Sequence, residues 1–183
     1  MIPKRLSSAW DFFAPACHVP GGYLVHPSAP VAHHDMQQRF DYYKADPPSI
    51  QAMLALEKHV SSTTLDFGLR ELIKLRASQI NGCAYCVDMH SKDLLKHGET
   101  QQRLNVLCVW KESPAFTEKE RAALAWTESV TLLSQTGVPD DVYEEFAKHF
   151  TEQERLQITL LIGAINIWNR LAVSFRAVHP MGA

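Results

Sequence analysis

Four side chains within one stretch of twenty residues have the types and spacing for thiol redox chemistry: Glu71, Cys83, Cys86 and His90. Suppose a helix begins at or just before Cys83. Cys83, Cys86 and His90 then fall at i, i+3 and i+7, on one helical face. Both sulfurs lie in the first turn, where unpaired backbone N–H groups and the helix dipole favour a thiolate. A cysteine there titrates well below its free value of about 8.5. Positions i and i+3 stand about 5–6 Å apart at Cβ, close to disulfide reach. A bridge that closes so short a loop adds little stability. The pair therefore reads as a dithiol–disulfide switch. His90, four residues after Cys86, can accept its proton or pass one on through water. Glu71 precedes an Asn81-Gly82 turn that folds its helix back, so its carboxylate can orient His90 or act as the base.

A structural zinc site is the rival reading of Cys83, Cys86 and His90. It needs a fourth ligand, and none is evident. Cys108 shares an apolar face with Leu104 and Leu107 and reads as a small buried hydrophobe. His97 lies near a helix end and reads as a partner of the last carbonyls. Lys92, Asp93 and Lys96 read as a solvated face. Trp126, Trp168 and Phe175 read as core or interface.

The elements that must position these groups are helical. Asp46-Pro47-Pro48 starts a helix with Ile50, Met53, Leu54, Leu56 and Val60 as its apolar stripe. Asp66 caps a second, with Leu69, Leu72, Ile73, Arg76 and Ile80 on one side, and Asn81-Gly82 ends it. A third runs from about Cys83 to His97, stopped by Gly98. Thr100 caps a fourth. Thr117–Glu120 is a capping box for a fifth that runs to Gly137. Pro139 or Asp140 starts a short sixth. Thr151–Glu154 is a second capping box, and the last helix runs toward Arg176. It is apolar around most of its circumference, the mark of a central or interface helix. No strand pair is evident, so the fold class is all-α.

Residues 1–35 differ in kind. They hold five of the ten prolines and no helical periodicity, and read as an irregular extension before a helical domain over 36–183. Cys17 reads as an unpaired bystander there, and His18, His26, His33 and His34 lack metal-ligand spacing. Met36 is a candidate natural start. The formal charge of −2 lacks the basic stripe of a nucleic-acid binder. The longest apolar run, Leu160–Ile165, is far short of the roughly 20 residues of a spanning helix, and no good signal peptide is present. The expectation is a cytoplasmic protein that engages neither nucleic acid nor membrane.

Glu71, eleven residues, Cys83-x-x-Cys86, three residues and His90 together resemble the alkyl hydroperoxide reductase D (AhpD) family within the carboxymuconolactone decarboxylase superfamily. The flanks Leu75–Cys86, Met89–Asp93 and Glu120–Glu128 also fit a single-domain AhpD-like branch, over roughly Met36 to Arg176. The resemblance implies a helical bundle with a helix-turn-helix active-site hairpin. It implies a thiol peroxidase that needs no cofactor or metal. Cys86 would attack a hydroperoxide and become a sulfenic acid, and Cys83 would resolve it to a disulfide. Glu71, a water and His90 would relay the proton, and a dithiol partner of the lipoyl-carrier kind would reduce the product. It implies homo-oligomers, trimers or hexamers. Tyr85 departs from the founding enzyme, which has a histidine between its cysteines. In thioredoxin-type helices the first cysteine is the nucleophile. Here the i+4 histidine belongs to the second, which favours Cys86. Two other functions fit less well: the decarboxylase chemistry of the wider superfamily, which does not require a cysteine pair, and a redox-sensing or zinc-binding scaffold.

Overall fold

The computed structural model describes residues 37–180. The readings made of residues 1–35, of Cys17 and its neighbouring histidines, and of Met36 lie outside them. The described residues form α-helices and no strands: α1 Tyr42–Ala45, α2 Pro47–Ser61, α3 Phe67–Ile80, α4 Ala84–Lys96, α5 Gln101–Val106, α6 Glu118–Thr131, α7 Leu133–Thr136, α8 Asp140–His149 and α9 Glu152–Ser174. A 3₁₀ segment, Leu107–Glu112, follows α5.

The caps act as their sequences require. The Asp66 carboxylate accepts from Leu69 N–H, and both capping boxes close, Thr117 with Glu120 and Thr151 with Glu154. Two expected helices are broken. Val109 leaves helical geometry after α5, which turns Cys108 out to solvent rather than into the core. Leu132 leaves it after α6, so the fifth helix continues only as the short α7.

The hub of the core is α3. Leu69 and Ile73 pack with Ala122, Ala123, Phe146, Ile158 and Leu161 from α6, α8 and α9. Leu72 and Leu75 pack on another side with Leu94, Leu107, Trp110 and Leu124. Ala77 joins Cys83, Cys86, Ile165 and Ala172. With neighbours on several sides, α3 also buries polar residues: Glu71, Lys74 and Ser78. By length and composition α9 could cross a membrane, although its uninterrupted apolar run is short. Its buried face, including Ile158, Leu161, Ile162 and Ile165, packs inside the domain.

Candidate active site

The turn between α3 and α4 fixes the cysteines. Cys83 N–H donates to Ser78 O at 3.0 Å and Gly82 N–H to Gln79 O at 3.3 Å. Gly82 has φ +65°. This is a Schellman cap, whose left-handed position a residue without Cβ occupies at least cost. Cys83 ends that cap and is at the same time the N-cap of α4, so Cys86 is the third residue of the new helix. Both sulfurs thus stand at a helix N-terminus, as the spacing predicts, and both are reduced and buried.

The hairpin carries Glu71 back onto α4. His90 Nδ1 lies 2.6 Å from Glu71 Oε2, and both side chains are more than nine-tenths buried. With Nδ1–H donating to the carboxylate, Nε2 is left as the free nitrogen, and it has no hydrogen-bond partner among the described residues. Burial works to raise the Glu71 carboxyl. The hydrogen bond and charge of His90, and then Lys74, outweigh it and hold the group below its ordinary value.

Cys86, His90 and Glu71 line one cavity of about 310 Å³. Tyr42, Trp168, Leu54, Met89 and Ile165 form its apolar wall. Cys83 faces a different, smaller groove beside Arg176. The pair shares its charge unevenly. The Cys83 thiol is brought down to about 6, first by the Cys86 thiol donating to it, against burial, and then by the Cys86 amide and Asn169. The Cys86 thiol, as donor and buried, is pushed up. The hydrogen bond between the sulfurs thus favours a charge on Cys83, while access to the cavity belongs to Cys86. Cys83 makes no regular capping hydrogen bond, so the partner thiol matters more here than the cap.

Several groups at this site were not visible in the motif. Lys74 is buried between two carboxylates, 3.2 Å from Glu71 Oε1 and 2.7 Å from Glu57 Oε1 on α2. A lysine inside Leu72-Ile-Lys-Leu75 is the sequence signal for it, since a cation in an apolar run needs partners. Asp93, read as solvated, also lines the cavity. It forms with Glu71 and His90 a group whose ligand atoms lie within 4.8 Å of one another. The cysteines are not part of that group, which departs from the zinc reading based on them. The Lys74 ammonium against Glu71 opposes a cation there. His97 behaves as expected, its Nδ1 3.0 Å from Asp93 O, with its ring also stacked on Phe67. Tyr85 is partly exposed and lines both the cavity and the groove.

Arginine and glutamate from the flanking motifs hold the scaffold. Arg76 pairs with Glu128 at 2.7 Å, tying α3 to α6, and Trp110 Nε1 donates to the same carboxylate at 2.8 Å. Glu120 takes Arg103 at 2.6 Å.

An all-helical domain with a reduced CxxC pair at a hairpin, next to a buried carboxylate–imidazole pair, defines a class of dithiol proteins. The chain belongs to the carboxymuconolactone decarboxylase family and is AhpD-like: that family matches residues 47–129. It is 40% identical over 139 residues to the uncharacterized Bacillus subtilis protein YdfG, a match covering 76% of this chain and 95% of YdfG. A crystal structure of ATU0492 from Agrobacterium tumefaciens, of unknown function and put forward as the antioxidant defence protein AhpD, is 49% identical. It superposes with a TM-score of 0.78 over 80% of this chain and 100% of that one. The debrominase Bmp8 shares the fold at 21% identity, TM-score 0.67, over 73% of this chain and 72% of Bmp8.

Proposed function

We propose that the protein is a CxxC-dependent thiol peroxidase for organic hydroperoxides. The observation that carries this is the convergence of Cys86, His90 and Glu71 on one half-apolar cavity. A cavity of that size accepts a small organic ligand. The proton between the sulfurs moves to Cys83, leaving the charge on Cys86. The Cys86 thiolate attacks the outer peroxide oxygen, the O–O bond breaks, and Cys86 becomes a sulfenic acid. His90 Nε2 first takes up the proton that the dithiol loses on becoming a thiolate, then returns it to the leaving alkoxide, directly or through water, while Glu71 stabilises the imidazolium between the two transfers. The Cys83 thiol then displaces water from the sulfenic acid and forms the disulfide. In sum, dithiol and hydroperoxide give disulfide, alcohol and water. A dithiol such as a lipoyl-type carrier restores the pair.

The test is to add an organic hydroperoxide to the reduced protein and count thiols. Two should disappear per peroxide. Consumption by Cys86→Ser at the wild-type rate overturns the assignment. The rival is a divalent cation held by Glu71, His90 and Asp93. Stoichiometric metal in the purified protein, with activity lost on chelation, would favour it. We also propose a homo-oligomer, a trimer or hexamer, supported by Leu156, Leu160, Ile167 and Val173 exposed on α9. A monomeric mass by light scattering overturns that.

A further inference from the structure

Behind the cysteines, away from the cavity, lies a chain of neutral polar groups. Asn81 Nδ2 donates to Asn169 Oδ1 at 2.9 Å and to Asn166 Oδ1 at 3.0 Å. Asn169 Nδ2 donates to Ser78 Oγ at 3.0 Å, and Ser78 Oγ donates to Lys74 O at 2.8 Å. Every bond has one direction. Because Asn81 offers only N–H groups at this contact, Asn169 must turn its oxygen toward it. The Asn169 NH₂ is thereby aimed the other way, at Ser78 and the sulfurs. Asn169 is 1% exposed and Ser78 fully buried, so water does not compete for these donors. On α9, Asn169 sits between Ile165 and Ala172, which pack against Cys83 and Cys86. One Asn169 N–H serves Ser78; the other lies on the side of the cysteines, against which Ile165 and Ala172 pack, and the amide works to hold both thiols down.

We propose that Asn169 is a catalytic residue of the dithiol centre, an amide locked by Asn81 so that its N–H stabilises the negative charge on the reacting sulfurs. A thiolate accepts such a hydrogen bond far better than a disulfide does. The donor therefore favours the reduced pair and makes the disulfide more oxidising, by the same linkage that makes any stabilised thiolate a better leaving group. The couple is balanced: disulfide and two glutathione thiols give the dithiol and glutathione disulfide. The Asn81-Gly82 turn acquires a second role here. Gly82 shapes the cap, and Asn81 orients an amide 88 positions away in the chain.

This inference rests on the dithiol reading of the site but not on peroxide turnover, so the two can fail separately. The experiment is a pH titration of thiolate absorbance in the full-length reduced protein, together with equilibration against glutathione. For Asn169→Leu the first thiol pKa should rise by about one to two pH units, the loss of one hydrogen bond to a charged group. At pH 7 the glutathione equilibrium should move about five- to tenfold toward the disulfide. Asn166→Ala, which leaves the Asn169–Asn81 bond in place, should titrate as wild type. Asn81→Ala keeps the amide but frees it to rotate, and should raise the pKa in the same direction by less. A folded Asn169→Leu that titrates as wild type overturns the proposal. If that variant does not fold, an unchanged Asn81→Ala titration overturns it instead. Expected titrations in a protein that ignores hydroperoxides would sink the proposed function and leave this inference standing.

Discussion

The two sides of the cysteine pair are built from different chemistry. In front, facing the cavity, stand groups that change charge or carry it: His90, Glu71, Lys74 and Glu57, joined at 2.6 to 3.2 Å. Behind stand Ser78, Asn81 and Asn169, which neither titrate nor move a proton at neutral pH. The front can therefore exchange protons with a substrate. The back can only hold a charge that is already there. A site that breaks an O–O bond needs both, because the attacking sulfur must be anionic and the leaving oxygen must be protonated.

The largest expected effect comes from the sulfurs, which both sides share. Cys86→Ser should reduce peroxide-driven thiol loss to the uncatalysed background. Cys83→Ser should still react once and leave a sulfenic acid on Cys86, detectable by mass after trapping with a carbon nucleophile. Trapping at Cys83 in a Cys86→Ser protein instead would reverse the assignment of front and back.

Next comes the front relay. Glu71→Gln keeps shape but removes the charge that supports the imidazolium, and should slow peroxide reduction on the order of 100-fold. A loss under threefold would place Glu71 among the merely structural residues.

Lys74→Met tests stability rather than rate. It leaves Glu57 and Glu71 facing each other, with Glu71 buried, and should cost roughly 3–5 kcal/mol. Lys74→Arg should recover part of it. A denaturation midpoint within error of wild type would show that water replaces the ammonium.

The pH dependence has a definite sign. The Glu71 carboxyl is held below its ordinary value of 4.5 in the folded protein. The folded state then binds fewer protons than the unfolded one, so this contribution is present above about pH 4.5 and is lost as pH falls through the folded value. Glu71→Gln should lose less stability than wild type on going from neutral pH into that range. Equal acid sensitivity of the two proteins would remove Glu71 from the account.

The smallest effect belongs to the hinge. A Cβ at Gly82 meets nothing within 4 Å, so Gly82→Ala adds only left-handed backbone strain. That is about 1 kcal/mol, or a fall of about 2–4 °C in melting temperature for a chain of this size. A larger fall would mean that the turn also sets the thiol geometry.

The sequence by itself determined what depends on neighbours along the chain. Helical period placed Cys86 and His90 on one face, whereas Cys83, as the non-helical N-cap, faces a separate groove. Asp66, Thr117, Thr151 and Gly82 marked helix ends, because caps answer hydrogen bonds that lie within three to five residues. The Glu71–His90 meeting was legible too, since a single short hinge joins their helices. Only the tertiary structure decided the rest. Cys108 faces solvent because Val109 breaks the helix beside it. Lys74 finds Glu57 across 17 positions and Asn169 finds Ser78 across 91. An asparagine in an apolar helix announces a buried partner without saying which one. The short α1, whose Tyr42 helps wall the cavity, had no periodic signal over four residues. So the motif Glu71–His90 specifies the front of the site. The back is assembled by α9, whose register against α3 is set by packing over the whole core.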